Sequence, residues 1–406
     1  MKIFYCVRTK FTLFLSFIVF FLVMPFQARG EDECSFGPQP RIDELVIRGI
    51  EEGKIPGAVV IVGNRERILY AKSYGNRQVK PVPEVMTLDS IFDLASISKV
   101  VSTAIGVHLL ADRGMIDLEG AITSYLPEFG KNGKEKITIL DCLTHTSGLI
   151  ADNSLRDYVG SQEEIWGKIC SLKLSYPTGT RFVYSDVGFI VLGKLIERIS
   201  GMTLDEFAAQ NIFRPLGMND TGYALSEKFH SRCVPTEKRS RADTEWIRGD
   251  VHDPRAFAMR GVAGHAGVFS TGRDLAILGT VLLNRGTFKG TSKGGEVQDF
   301  ILLSSKAFER MTQDRKVPGE AKLYPGPNIR SAGWDKRSVY SRNRARNMSE
   351  SAFGHGGFTG SAFWVDPEKN IYVIFLASRL HPDGKGNSLQ LSGDIGTSAL
   401  EIFDGK

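Results

Sequence analysis

Apolar residues recur at helical spacing over Arg41 to Gly53, where Ile42, Leu45, Val46 and Ile50 share a face, and the pattern predicts an amphipathic helix. The period then changes. Ala58-Val59-Val60-Ile61-Val62 and Ile68-Leu69-Tyr70-Ala71, divided by Gly63-Asn64-Arg65-Glu66, predict two strands joined by a turn. The far end repeats this, with Ala362-Phe363-Trp364-Val365 and Ile371 to Leu376 flanking Asp366-Pro367-Glu368-Lys369-Asn370, and a last helix over about Leu389 to Phe403. Helical patterns dominate between them: Val100 to Arg113, Val187 to Ile199, Leu204 to Ile212 and Asp274 to Arg285, several closed by a glycine such as Gly114, Gly201 or Gly286.

Hairpins at both ends and helices between them predict an α/β (α+β) domain: an antiparallel sheet built from N- and C-terminal strands and flanked by helices, with an inserted, mostly helical lobe. The expected sheet part is about 41–80 and 350–406, and the helical lobe about 90–310, within one domain over 31–406. Composition marks Glu237 to Gly249 and the glycine-rich Gly286 to Gln298 as surface loops or insertions. No internal repeat is present.

At 406 residues, 42% hydrophobic and with 43 glycines, the chain has the make-up of a globular protein of enzyme size. Its first 30 residues read as a leader: Lys2, Arg8 and Lys10 precede an apolar run from Phe11 to Phe26, followed by Ala28-Arg29-Gly30. The expectation is a cleaved secretory signal and an exported product, periplasmic or extracellular, with membrane contact only if the segment stays uncleaved. Cleavage removes Lys2, Arg8, Lys10 and Arg29 and no acid, so the formal charge falls from +5 to +1. No global field for nucleic acid remains. The stretch from Arg315 to Arg346 carries nine Lys/Arg against two Asp/Glu and reads as a solvated loop. Export permits disulfides among Cys34, Cys142, Cys170 and Cys233, for which three pairings are open. Cys-x-x-Cys and His-Glu-x-x-His are both absent, so no metal and no cofactor is expected.

Chemistry concentrates at Ser96-Ile97-Ser98-Lys99, where the strand-like run Ser90 to Leu94 passes into a helix. A spacing of three places the hydroxyl and the amine on one helix face, about 5–6 Å apart at Cβ, so the amine can draw off the hydroxyl proton. A serine in the first turn also has free backbone N–H groups and the positive dipole end beside it. Tyr184-Ser185-Asp186 stands at the entry to a second helix; its phenol can serve as a base, and Asp186 is expected to share in capping. Gly354-His355-Gly356-Gly357-Phe358 precedes the C-terminal hairpin. Glycines there let a substrate backbone approach closely, His355 shapes the pocket, and the Phe358 N–H can join that of Ser96 in an oxyanion hole. Tyr74-Gly75-Asn76 is a decoy at a strand end. Gly290-Thr291-Ser292-Lys293-Gly294 fits a nucleophile-elbow pattern but sits in a polar loop without the required strand and helix.

In this order the three motifs resemble those of the serine β-lactamase and penicillin-binding-protein superfamily, in its class C-like branch. Ile55-Pro56-Gly57-Ala58, Leu143-Thr144-His145-Thr146-Ser147-Gly148-Leu149, Gly261 to Gly267 and Trp364-Val365-Asp366-Pro367 resemble its other phrases, so the likeness spans most of the mature chain. It implies an acyl-enzyme hydrolase with Ser96 as nucleophile, Lys99 as its proton partner, Tyr184 as the base that later activates water, and Asp186, His355, Gly356 and Gly357 at the substrate. Penicillin-active members usually have lysine at the place of His355 and asparagine at that of Asp186. A largely neutral histidine cannot hold a substrate carboxylate as lysine does, and a carboxylate offers only acceptors where an amide donates. The substrate expected is therefore a small-molecule or peptide acyl group, that of an esterase or peptidase/amidase rather than an efficient β-lactamase. Two alternatives stand beside it: a cell-wall DD-carboxypeptidase or class C β-lactamase, and a non-catalytic binding or scaffold protein with a relict site. His145 and His265 read as structural, and His252-Asp253-Pro254 is given no role.

Overall fold

The computed structural model describes residues 37, 39–240, 242–291 and 297–405. The leader at 1–30, Cys34 and Ser292 of the rejected elbow pattern lie outside the described residues.

Helix α1 (Pro40–Glu51) opens on proline, whose fixed φ suits a first helical turn, and buries Ile42, Val46 and Gly49. The main sheet follows from strands β1 (Gly57–Gly63), β2 (Ile68–Gln78), β3 (Glu84–Val85), β4 (Arg315–Glu320), β5 (Pro327–Arg330), β6 (Asp335–Arg337), β7 (Phe353–Gly356), β8 (Ala362–Asp366) and β9 (Ile371–Ala377). Its order is β3-β2-β1-β9-β8-β7-β6-β5-β4, with every pairing antiparallel. The two chain ends meet at its centre, where Ile61 lies opposite Ile374.

Both faces of that centre are covered, which explains why β1 and β9 are apolar at nearly every position rather than alternating. Ala58, Val60 and Val62 pack with Ile42, Val46, Ile395 and Leu400 of the terminal helices. Val59 and Ile61 point the other way, into the core shared with the helical lobe. That lobe includes α2 (Ile105–Asp112), α3 (Asp186–Ser200) and α4 (Gly272–Leu283); the last helix, α5 (Leu389–Phe403), lies over the terminal face. A Cβ at Gly279 of α4 would lie 2.7 Å from the Tyr372 ring, so glycine is what lets this helix meet β9 so closely. The fold class matches the expectation.

Two local expectations are corrected. Gly286 to Gln298 is not a loop throughout: Thr287–Thr291 and Val297–Ile301 pair as an antiparallel hairpin, its glycines having masked the strand signal. The basic stretch is not a solvated loop either, since it supplies β4, β5 and β6 and buries Arg330, Lys336 and Arg344. Neutralising partners make that burial tolerable: Arg330 lies 3.3 Å from Asp335, Lys336 pairs with Asp314, and Arg344 donates to backbone carbonyls. The described residues of the stretch 237–249 do form a loop. Cys142, Cys170 and Cys233 are free thiols, all buried. Among the described residues no helix is long and apolar enough to cross a membrane.

Candidate active site

Ser96 sits in a tight turn, Ala95–Ile97, that leads through a widened helical stretch, Lys99–Ala104, into α2. Ala95 carries φ +45°, a conformation costly for a residue with a side chain. The buried Asp93 carboxylate holds it there by accepting the Ala95 N–H at 2.8 Å, and the same carboxylate accepts the His252 N–H at 2.7 Å. Strain held at the residue before the serine fixes how that serine is presented. The run Phe92-Asp93-Leu94-Ala95-Ser96 also resembles a phrase of the superfamily, but a single acid in a strand gives no sign of which N–H groups it accepts.

The spacing of three between Ser96 and Lys99 has the expected result, with Lys99 Nζ donating to Ser96 Oγ at 3.0 Å. Lys99 is fully buried. It also donates to the His265 carbonyl at 2.9 Å and lies 2.6 Å from Asp186 Oδ1. Burial pulls its pKa down, but Asp186 and Tyr184 outweigh burial and hold it above its ordinary 10.5. Burial likewise pushes Asp186 up, yet Lys99 and His265 leave it below its ordinary 3.8. The pair is thus an ammonium and a carboxylate through the neutral range.

Tyr184 comes from the loop before α3, with its ring centroid 5.0 Å from Lys99 Nζ. Its buried Oη makes no hydrogen bond of normal geometry, although Ser96 and Lys99 lie near enough to stabilise its phenolate. Burial outweighs both and raises the phenol above its ordinary 10.0. His145 orients this loop: its Nδ1 accepts the Ser185 N–H at 3.0 Å and its ring stacks on Tyr184 at 4.4 Å. Burial holds His145 well below its ordinary pKa, so the ring is neutral and its hydrogen is on Nε2. Capping of α3 falls to Ser185, whose Oγ accepts the Gly188 N–H at 3.1 Å, and not to Asp186 as expected. The shorter side chain one residue earlier has the right reach, which frees Asp186 for Lys99.

The third motif closes the site from β7. A Cβ at Gly357 would lie 2.5 Å from the Leu94 carbonyl, so this glycine brings the strand end against the Ser96 turn. Thr359 Oγ1 donates to the Asp93 carbonyl at 2.8 Å and ties the two segments together. The Phe358 N–H has no partner among the described residues, while its ring, half exposed, stacks on His252 at 5.7 Å and under Arg379 at 4.5 Å. Gly356 packs on the Asn343 amide. His355 is buried, with Nδ1 donating to the Gly356 carbonyl at 2.8 Å. Burial, reinforced by Arg330 and Lys99, pushes its pKa down to about 3, so it is uncharged at neutral pH.

His265 and Asp253 complete the surroundings: His265 Nε2 lies 2.9 Å from Asp253 Oδ1, and Asp253 caps the short helix Pro254–Ala258. With Asp186 they form a cluster whose ligand-type atoms all lie within 4.8 Å of one another. The ammonium of Lys99 already supplies its cation. Tyr74 stands apart from this site, its Oη donating to Asp43 at 2.6 Å beside the sheet.

The β-lactamase family model matches residues 42–392. An N-acetylmuramyl-L-alanine amidase of Bacillus subtilis (strain 168) is 29% identical, over 84% of this chain and 81% of that protein. A putative D-alanyl-D-alanine carboxypeptidase of Salmonella agona (strain SL483) is 28% identical, over 92% of each. Among solved structures, a penicillin-binding protein homologue from Caulobacter crescentus superposes with TM-score 0.68 at 20% identity, covering 88% of this chain and 97% of that one. EstCE1, described as a hydrolase with promiscuous acyltransferase activity, gives TM-score 0.69 at 20% identity, over 89% and 97%. The chain belongs to the β-lactamase family and has the fold of the penicillin-binding proteins.

Proposed function

We propose that this protein is an exported serine hydrolase that works through an acyl-enzyme on Ser96, acting on ester or amide substrates derived from the cell wall. The observation that carries the reading is the 3.0 Å contact between a buried lysine amine and the Ser96 hydroxyl, with the Tyr184 phenol over both. As Ser96 Oγ attacks a carbonyl carbon, its proton passes toward Lys99 and Tyr184. The Ser96 and Phe358 N–H groups hold the oxyanion. Tyr184 then serves as base for the water that releases the acyl group.

Relatives named as an amidase and a carboxypeptidase support a cell-wall acyl donor and, with the leader pattern, export. The charges narrow the choice. An uncharged His355 and an anionic Asp186 put no free cation where a substrate carboxylate would bind, which favours internal amides and esters over β-lactams and terminal D-Ala-D-Ala. Turnover of p-nitrophenyl esters, a chromogenic cephalosporin and a D-Ala-D-Ala peptide tests this directly. The expected order has the esters first. A preference for the cephalosporin contradicts the reading of His355 and Asp186.

A further inference from the structure

A protonated lysine has three N–H donors; Lys99 donates to Ser96 Oγ at 3.0 Å and to the His265 carbonyl at 2.9 Å, and its ammonium forms an ion pair with Asp186 Oδ1 at 2.6 Å. Such an ammonium has no lone pair with which to take a proton from Ser96. One of its three partners can relieve that. A carbonyl oxygen offers no place to leave a proton, whereas a carboxylate can hold one transiently as an O–H while the negative charge moves to the substrate.

We propose that Asp186 is the terminal acceptor of a Ser96–Lys99–Asp186 proton relay. The proposal rests on the serine-hydrolase reading and deepens it, giving Asp186 a part played through Lys99. The Ser96 O–H bond breaks as Oγ attacks the substrate carbonyl carbon, and its proton forms a new N–H bond at Lys99. Another Lys99 N–H breaks, and that proton forms an O–H bond on Asp186. The nitrogen keeps its three protons and its charge, Asp186 becomes a neutral acid, and the negative charge moves onto the substrate oxygen. Reversal of the same path returns a proton to the leaving group.

Three further observations fit this role. Asp186 Oδ1 has no polar partner other than Lys99 among the described residues. Ser185 does the capping that would otherwise hold the carboxylate to the backbone. Asp186 is also the first residue of the 15-residue helix α3, where a negative charge is favoured. The charged surroundings are mixed: Lys99 and His265 favour the carboxylate, and Asp253 and Asp152 oppose it. Lys99 is faced in turn by Asp186, Tyr184, Asp253 and the neutral rings of His145 and His355.

The sign of the pH dependence follows. With Asp186 ionised below its ordinary 3.8, the relay is ready from about pH 5 upward. Without the carboxylate, Lys99 must shed a proton before it can act, and burial, no longer opposed by Asp186, pulls its pKa down, so the rate rises with pH through that lowered pKa instead of staying flat. The test is kcat and KM for p-nitrophenyl acetate across pH 5 to 9.5, for wild type, Asp186→Asn and Asp186→Glu, with circular dichroism as the check on folding. The relay predicts a wild-type profile without an acid limb in this range. It predicts that Asp186→Asn loses at least about 100-fold in kcat at pH 5.5, near the low end for a lost acid–base partner. That gap narrows toward pH 9, KM changes little, and Asp186→Glu recovers part of the low-pH rate. An Asp186→Asn enzyme equal to or faster than wild type at pH 5.5 overturns the relay. So does a wild-type acid limb above pH 6, which needs no variant to fold, or an effect confined to KM. Wild type that neither turns over the ester nor labels with a fluorophosphonate fails at the earlier step and overturns the serine-hydrolase reading itself.

Discussion

Lys99 and Lys134 are both fully buried, and each ammonium contacts three oxygens, yet the oxygens differ in kind. Lys134 donates to the carbonyls of Lys131, Cys170 and Leu172 at 2.7, 2.9 and 2.5 Å. Those acceptors cannot give or keep a proton, so the residue is a clamp that joins the 131–134 turn to the end of the helix Gln162–Ser171. Burial lowers its pKa. Lys99 has one carbonyl among its partners, but the other two are a hydroxyl and a carboxylate, both able to exchange protons. Burial alone does not mark a site; the identity of the acceptors does.

Substituting methionine at each position breaks the comparison most sharply. Lys99→Met removes the proton partner of Ser96 and should lower kcat/KM by about 10²–10⁴-fold. Lys134→Met should leave kcat/KM as it was and lower the unfolding free energy in urea by about 1–3 kcal/mol, because buried carbonyls lose their donor. Equal losses of activity in the two variants would erase the distinction.

Phe358→Pro removes a donor where the lysine variants orphan acceptors. The missing N–H should lower kcat by about 10²–10³-fold with the far-UV spectrum intact. A folded variant with full kcat would remove Phe358 from the oxyanion hole.

Much of this was legible in the sequence, and the gaps have physical causes. Helical spacing alone brings Ser96 to Lys99, because residues three apart share a face. Central strands β1 and β9 were readable because both faces are covered and the runs are continuously apolar. Strands β4 to β6 were not, because pairs such as Arg330 with Asp335 hide inside a stretch that reads as charged surface. The partnership of Lys99 with Asp186 was hidden for another reason: it joins two helix starts far apart in sequence, and no periodicity reports such a contact. His145 and His265 were read as structural, and neither contacts Ser96 directly; they hold the Tyr184 loop and Lys99 instead.

The central claim is that Ser96 is a nucleophile activated within this pocket. Incubating the folded protein with a fluorophosphonate and mapping the adduct by mass spectrometry tests it most directly. The account predicts one phosphonyl group on Ser96 and none on the folded Ser96→Ala variant. Folded wild type without an adduct, or with its adduct on another serine, would contradict it and favour a scaffold with a relict site.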